Sequence, residues 1–247
     1  MRPLSVSELL AVWERGWSAR PFERALALLS AATPECSPAT LAGVSLGRRD
    51  ASLLQLREWV FGPDLALVAT CPHCGQSLEM AVPAGSLRSS PSYRSDAAAG
   101  REIEVAAGDH EIRCRPPNSE DLLACVGLES AARRGRLFER CVLEARRQGQ
   151  AVPAEQLPEN VAELVVRRIA ASDPQADVRI DLGCPDCRHQ WTEVFDIVSF
   201  FWTEIDAWAR RTLHDVHALA SAYGWRESDV LALSPGRRQI YLTMAQA

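Results

Sequence analysis

The chain has 247 residues, enough for one large domain or two small ones, and an ordinary globular composition of 47% apolar and 24% charged residues. Its 27 basic residues are all Arg against 32 acidic ones, a net charge of −5 that argues against a nucleic-acid surface. With no Lys, neither a GxxxxGKS/T phosphate loop nor lysine Schiff-base or kinase chemistry can be built.

The N-terminal segment, 1–62, reads as helical. Ser5 and Glu8 fit a capping box, with Leu9, Leu10, Trp13 and Trp17 on one face. Pro21 opens a second helix with Phe22, Ala25, Leu26 and Leu29 at helical spacing. A Pro/Ser turn follows at 33–38, and a further helix over about 48–61 is stopped by Gly62-Pro63. Leu65, Leu67 and Ala69 then alternate at six, four and two residues before Cys71 of Cys71-Pro72-His73-Cys74. A second extended stretch, 78–82, follows, so that 65–82 reads as strand–CPHC–strand. Residues 83–100 are rich in Pro, Gly, Ser and Ala and read as a mobile loop. Two alternating runs, 101–106 and 110–114, flank Gly108-Asp109 as a hairpin.

Asn118 caps a short helix carrying Leu122, Leu123 and Val126. A longer helix carries Leu137, Phe138, Cys141, Val142 and Ala145 on one face. A third starts near Pro158, buries Val161, Leu164, Val165 and Ile169, and ends at Asp173-Pro174. The stretch 119–171 therefore reads as largely helical. At 177–196 the first unit repeats: Val178, Ile180 and Leu182 stand six, four and two residues before Cys184 of Cys184-Pro185-Asp186-Cys187, and a stretch at 191–195 follows. The longest helix, 197–223, carries a stripe of Val198, Phe201, Ile205, Trp208, Thr212, Val216, Leu219 and Tyr223, with Gly224 as its C-terminal cap. A short helix at 228–233 and a last one after Ser234-Pro235, with Ile240, Tyr241 and Met244, complete the chain.

The expected fold is α+β. A small antiparallel, zinc-ribbon-like β module at 63–196 holds the knuckles, the hairpin and the helical insertion, between helical segments at 1–62 and 197–247. Two matching CPxC units 109 residues apart (positions 75 to 183) supply four thiolates, Cys71, Cys74, Cys184 and Cys187, the ligand set of a closed tetrahedral structural Zn2+ site. Such a site leaves no position for water or substrate, so no Lewis-acid catalysis is expected. Two other readings stand beside it. The CPHC pair alone has the form of a thiol oxidoreductase site, which needs a helix after the first Cys. A zinc-ribbon adaptor of nucleic-acid machinery is opposed by the acidic charge. No apolar run approaches a membrane span, and Glu8 and Glu14 interrupt any signal pattern, so a cytoplasmic, thiol-reducing compartment is expected.

Gly43-Val44-Ser45-Leu46-Gly47 matches the GxSxG nucleophile elbow, but no buried strand precedes it, and a plain interhelical turn is the expectation. His214 and His217 share a helix face without carboxylate partners and read as a structural pair. Cys36, Cys114, Cys125 and Cys141 read as small buried hydrophobes, and Trp202, Trp208 and Trp225 as core or interface residues.

Three stretches resemble a known family. They are Leu46-Gly47-Arg48-Arg49-Asp50 running into 53–58, the CPHCG and CPDC knuckles, and the C-terminal stretch 217–225 with 231–238. The family comprises baseplate or baseplate-hub assembly chaperone proteins, of the T-even phage type, from contractile phage tails and phage-like injection systems. The resemblance implies a non-enzymatic structural or assembly role without catalytic residues. It also implies a hetero-oligomeric assembly with other baseplate or tail proteins, in the cytoplasm or built into a phage or phage-like particle.

Overall fold

The computed structural model describes residues 1–88 and 102–245. Helix α1 (Val6–Gly16) starts on the expected capping box, in which Ser5 and Glu8 each satisfy the other's backbone N–H. Leu9, Leu10, Val12 and Trp13 turn inward. Trp17, expected on the same face, caps the helix instead; it lies exposed, edge-on to Trp13, with the Arg210 guanidinium 5.0 Å from its ring centre. Helix α2 (Pro21–Ala32) has its Pro in the first turn and buries Ala25, Leu28, Leu29 and Ala32; Phe22 and Leu26 sit half-buried at the margin of that face. Ser37 caps the short α3 (Pro38–Gly43). Helix α4 (Leu46–Phe61) ends at Gly62, whose φ of 94° a side chain would resist.

Strands β1 (Asp64–Thr70) and β2 (Ser77–Pro83) form the first hairpin. The loop expected from 83 begins as a 3-10 turn at Ala84–Leu87, and the rest of it, 89–100, lies outside the described residues, as does Arg101 at the head of the expected hairpin. Strands β3 (Ile103–Ala107) and β4 (His110–Cys114) turn at Gly108, φ 62°. Asn118 caps α5 (Ser119–Ala124), as its position implied. Leu123 and Val126 are exposed, and Val126, expected within the helix, lies beyond it.

Helix α6 (Ser130–Cys141) is shorter than its apolar spacing implied. Val142 and Ala145 belong to strand β5 (Val142–Arg147), where Ala145 faces Ile112 of β4. The free edge of β4 offers a ladder of hydrogen bonds, and that tertiary pairing overrides the helical spacing. Gln148 and Gly149, both at positive φ (51° and 81°), then make a two-residue hairpin to β6 (Gln150–Ala151). The insertion is therefore mixed: a four-stranded antiparallel sheet, β3-β4-β5-β6, covered by α7 (Glu159–Ser172) through Val105, Ile112, Ala145, Val161 and Val165. The hairpin at 103–114 belongs to this sheet and shares no ladder with the knuckle strands.

Strands β7 (Arg179–Gly183) and β8 (Gln190–Val194) form the second knuckle hairpin and lead into α8 (Ile197–Tyr223). The first half of α8 completes the N-terminal core, placing Phe201, Ile205 and Ala209 among Leu9, Leu28, Leu53 and Leu56. Arg57, 2% exposed, grips Glu204 through two bonds of 2.8 and 2.6 Å and donates a third to the Gly62 carbonyl. The second half of α8 forms a smaller core with α9 (Glu227–Leu231) and α10 (Pro235–Ala245) around Leu219, Val230 and Leu242. Gly224, at φ 67°, caps α8 as expected. Ile240 and Met244 of α10 face outward. The fold is α+β, and among the described residues no helix is long and apolar enough to cross a membrane.

One buried carboxylate organises the entry to the insertion. Asp121, 0% exposed, accepts two bonds from Arg115 (2.6 and 2.9 Å), one from Arg140 (2.7 Å) and one from the Asn118 N–H. Burial alone would raise its pKa; the hydrogen bonds from Arg115, Asn118 and Arg140 overcome that and hold it below the usual carboxylate range. Asp121→Asn is expected to destabilise the protein by about 3 kcal/mol at pH 7, measured by denaturant unfolding, because two guanidinium groups lose their counter-charge. The folded-state pKa is depressed, so the wild-type advantage is present above the unfolded value of about 3.9 and is lost as pH falls through the folded one. The two unfolding curves should converge in that acid window.

Candidate metal centre

Both CPxC segments fold into the same knuckle. In the first, the Cys71 N–H donates to the Gln76 carbonyl and the Gly75 N–H to the Cys71 carbonyl, each at 2.9 Å. In the second, the Cys184 N–H donates to His189 at 2.9 Å and the Arg188 N–H to Cys184 at 3.0 Å. Residues equivalent in sequence thus make equivalent bonds. The position after the second Cys is left-handed in both, Gly75 at φ 77° and Arg188 at φ 61°. Glycine adopts that conformation without strain, whereas Arg pays a steric penalty there.

The two knuckles meet sulfur to sulfur. Cys71 Sγ lies 3.6 Å from Cys187 Sγ, Cys74 Sγ lies 3.6 Å from Cys184 Sγ, and all four sulfurs fall within 4.8 Å of one another. These separations are far beyond the ~2.05 Å of a disulfide. They approach the ~3.8 Å edge of a sulfur tetrahedron whose centre holds a zinc ion at ~2.3 Å. The first Cys of each knuckle is buried, Cys74 is exposed and Cys187 is half-buried. The four residues that the sequence nominated are therefore brought together, in a geometry compatible with a metal site.

Their protonation is divided unequally. Burial pushes the Cys71 thiol up, but the N–H groups of Cys74 and His73 and the neighbouring thiols stabilise its thiolate and hold it at about 7. The Gln76 N–H favours the Cys74 thiolate, yet the hydrogen bond with Cys187, burial and the nearby sulfurs push this thiol up to about 12. A bound cation would remove this competition by pairing with all four thiolates at once. Four sulfur ligands fill a tetrahedral ion and leave no position for chemistry. His73 stacks on His189 (5.5 Å between rings), and His189 on Trp191 (6.1 Å), beside the cluster rather than in it.

The thiol oxidoreductase alternative loses its premise, because β2 follows Cys74 where a helix N-terminus would be needed. His214 and His217 are both exposed on α8 and join no ligand cluster among the described residues. Cys114, Cys125 and Cys141 are buried; burial pushes the Cys114 thiol up to about 11 and the Cys141 thiol up to about 12, so both stay protonated and inert. Cys36 is only half-buried.

The GxSxG stretch is a turn, as expected, but it does more than link two helices. Ser45 is buried, caps α4 and bridges to Asn118. The Leu46 N–H donates to the Pro117 carbonyl and the Gly47 N–H to an Asp173 carboxylate oxygen, each at 2.9 Å. Both ends of the insertion's helical part thus close on the first turn of α4, where free N–H groups and the helix dipole favour acceptors. Local sequence marks these residues only as an interhelical turn, a helix cap at Asn118 and a helix stop at Asp173; of the group, the stretch that carries the resemblance takes in only Leu46 and Gly47.

Residues 27–202 match the family model described as T4 bacteriophage base plate protein. The matched range covers more than half of the chain, contains both knuckles and the turn at 43–47, and stops before the C-terminal stretch 217–238. No curated protein and no solved structure matches the chain.

Because open space surrounds the Cβ position at Gly75, substitution there isolates the backbone conformation. Gly75→Ala is expected to lower stability by about 1 kcal/mol, and Arg188→Gly to raise it by up to about 1 kcal/mol. Melting temperatures of the two metal-reconstituted variants, shifting in opposite directions, are the check.

Proposed function

The chain belongs to the T4 bacteriophage base plate protein family, and from that membership we propose that it is a non-enzymatic component or hub-assembly factor of the baseplate, in a contractile phage tail or a related injection system. The family match over 27–202 carries this reading. The geometry supports it: the knuckle cluster has the form of a structural site, closed to substrate.

The organisation we propose is a helical segment at 1–62, a zinc-ribbon-like module with its insertion at 63–196, and a helical segment at 197–247. Zn2+ held by Cys71, Cys74, Cys184 and Cys187 staples the module, since thiolate ligands select a soft, tetrahedral cation. The partners are other baseplate or tail proteins in a hetero-oligomeric assembly. The hub-assembly role is that of a chaperone holding such a partner before it joins the particle.

Metal analysis of reconstituted protein should find one zinc per chain, and Cys184→Ser should lose it. In that variant, hydrogen exchange should accelerate across 64–83 and 177–196 while the four-stranded sheet of the insertion stays protected. A fully folded, slowly exchanging Cys184→Ser protein with no metal would overturn the staple. Affinity capture with the tagged chain, expressed beside its neighbouring genes, should recover baseplate or tail proteins; recovery of nucleic acid instead would overturn the assembly reading.

A further inference from the structure

The two stapled hairpins hold the charge imbalance of the protein. Residues 64–83 and 177–196 contain seven Asp and Glu against Arg179 and Arg188, so 2 − 7 = −5, the same as the net charge of the whole chain. All seven carboxylate residues are exposed, and among the described residues only Asp177 has an ion pair, with Arg179. Asp196 also caps α8, accepting from the Val198 and Ser199 N–H groups; a surface with this excess of carboxylates attracts a cationic partner.

A groove of about 310 Å³ runs between the same hairpins. Leu67, Met80, Ile180, Leu182 and Phe200 make it apolar, and Glu193 and Asp196 place acid on its wall. Its lining takes in four successive residues, 67–70, and another four, 193–196. Successive side chains of a strand point to opposite faces, so a groove that meets 67–70 in turn runs along the edge of β1; on the other hairpin it meets the end of β8 at Glu193 and Val194 and the two residues that follow. Among the described residues those edges are unpaired, because β1 bonds only β2 and β8 only β7. They also carry β-branched side chains in the open, Val68 at 69% and Val194 at 63% exposure. Native proteins blunt or cover such edges, or use them to take up a strand.

We propose that this groove receives an extended, basic segment of a partner protein, added as a strand on the β1 or β8 edge. Its alternate apolar side chains lie against Leu67 and Phe200, and its Arg or Lys residues face Glu193 and Asp196. Nucleic acid is repelled by the same carboxylates. A second copy of this chain is a poor occupant, because its strand with adjacent arginines, β5, is already paired on both edges by β4 and β6. The proposal rests on the reading of the chain as one that binds other baseplate proteins, but its test needs none of them.

The test is fluorescence anisotropy with the zinc-reconstituted full chain and a labelled synthetic peptide alternating Arg and Val. Binding should weaken at least about tenfold from low salt to 0.5 M, where charges are screened over a few ångströms. The Glu-Val counterpart should not bind. Methylating alternate backbone amides of the Arg-Val peptide, which removes strand donors, should weaken binding about tenfold or more. Val194→Arg and Glu193→Arg should each do the same while zinc content stays at one per chain. Equal binding of an Arg-Gly peptide, indifference to amide methylation, or indifference to both substitutions would overturn the strand-addition proposal. So would a dimer in sedimentation that Val194→Arg abolishes, which would assign the groove to a second copy. Unaltered zinc binding in any of these outcomes leaves the staple standing and isolates the failure to the groove.

Discussion

The knuckle hairpins meet through sulfur, Cys71 to Cys187 and Cys74 to Cys184, both at 3.6 Å. Among the described residues neither hairpin has a third strand. A two-stranded ribbon cannot bury enough apolar surface to be stable alone, and here most side chains on both ribbons remain at least partly exposed. The pairing of the ribbons is therefore set by the cysteine cluster at one end and by the helical core at the other, where Leu65 and Ile197 are buried. What lies between these fixed ends is free to be a surface, which is why an apolar groove flanked by carboxylates can persist there.

The insertion hangs from two points. One is the cysteine cluster, which draws 71–74 onto 184–187. The other is the first turn of α4, where Pro117, Asn118 and Asp173 all converge. Both points close chain loops of around a hundred residues. Loop-closure entropy grows only logarithmically with length, so such closures are tolerable when each ends in strong bonds. Within them the insertion has its own core and its own buried charge network around Asp121, and so keeps its shape independently of the ribbon.

Much of this was readable from the residues. The duplicated frame of alternating apolar positions ahead of each CPxC located both hairpins and all four clustered cysteines, because period-2 alternation and Cys spacing are local properties. The capping box at Ser5, the cap at Asn118 and the glycine at 224 were legible for the same reason. The strand at 142–147 was not. Cys141, Val142 and Ala145 stand at helical spacing, and only the unpaired edge of β4, contributed from elsewhere in the chain, makes them a strand. The outward turn of Trp17 likewise depends on neighbours that the sequence does not name. The convergence on α4 escaped local reading altogether, since its partners are 70 to 126 residues away.

The grip of Arg57 on Glu204 spans 147 positions, and Phe61 meets Phe201 across a similar gap. For a chain made from its N-terminus onward, that distance is also a delay. When α4 leaves the ribosome, the apolar faces of α1, α2 and α4 have only each other, because α8, the helix that seals them, begins at Ile197, far downstream of Phe61. The insertion, whose core joins only residues between 103 and 169, is made complete during this wait. Helices α1, α2 and α4 are thus made well before the helix that completes their core, and every translation product interrupted before α8 carries that core open.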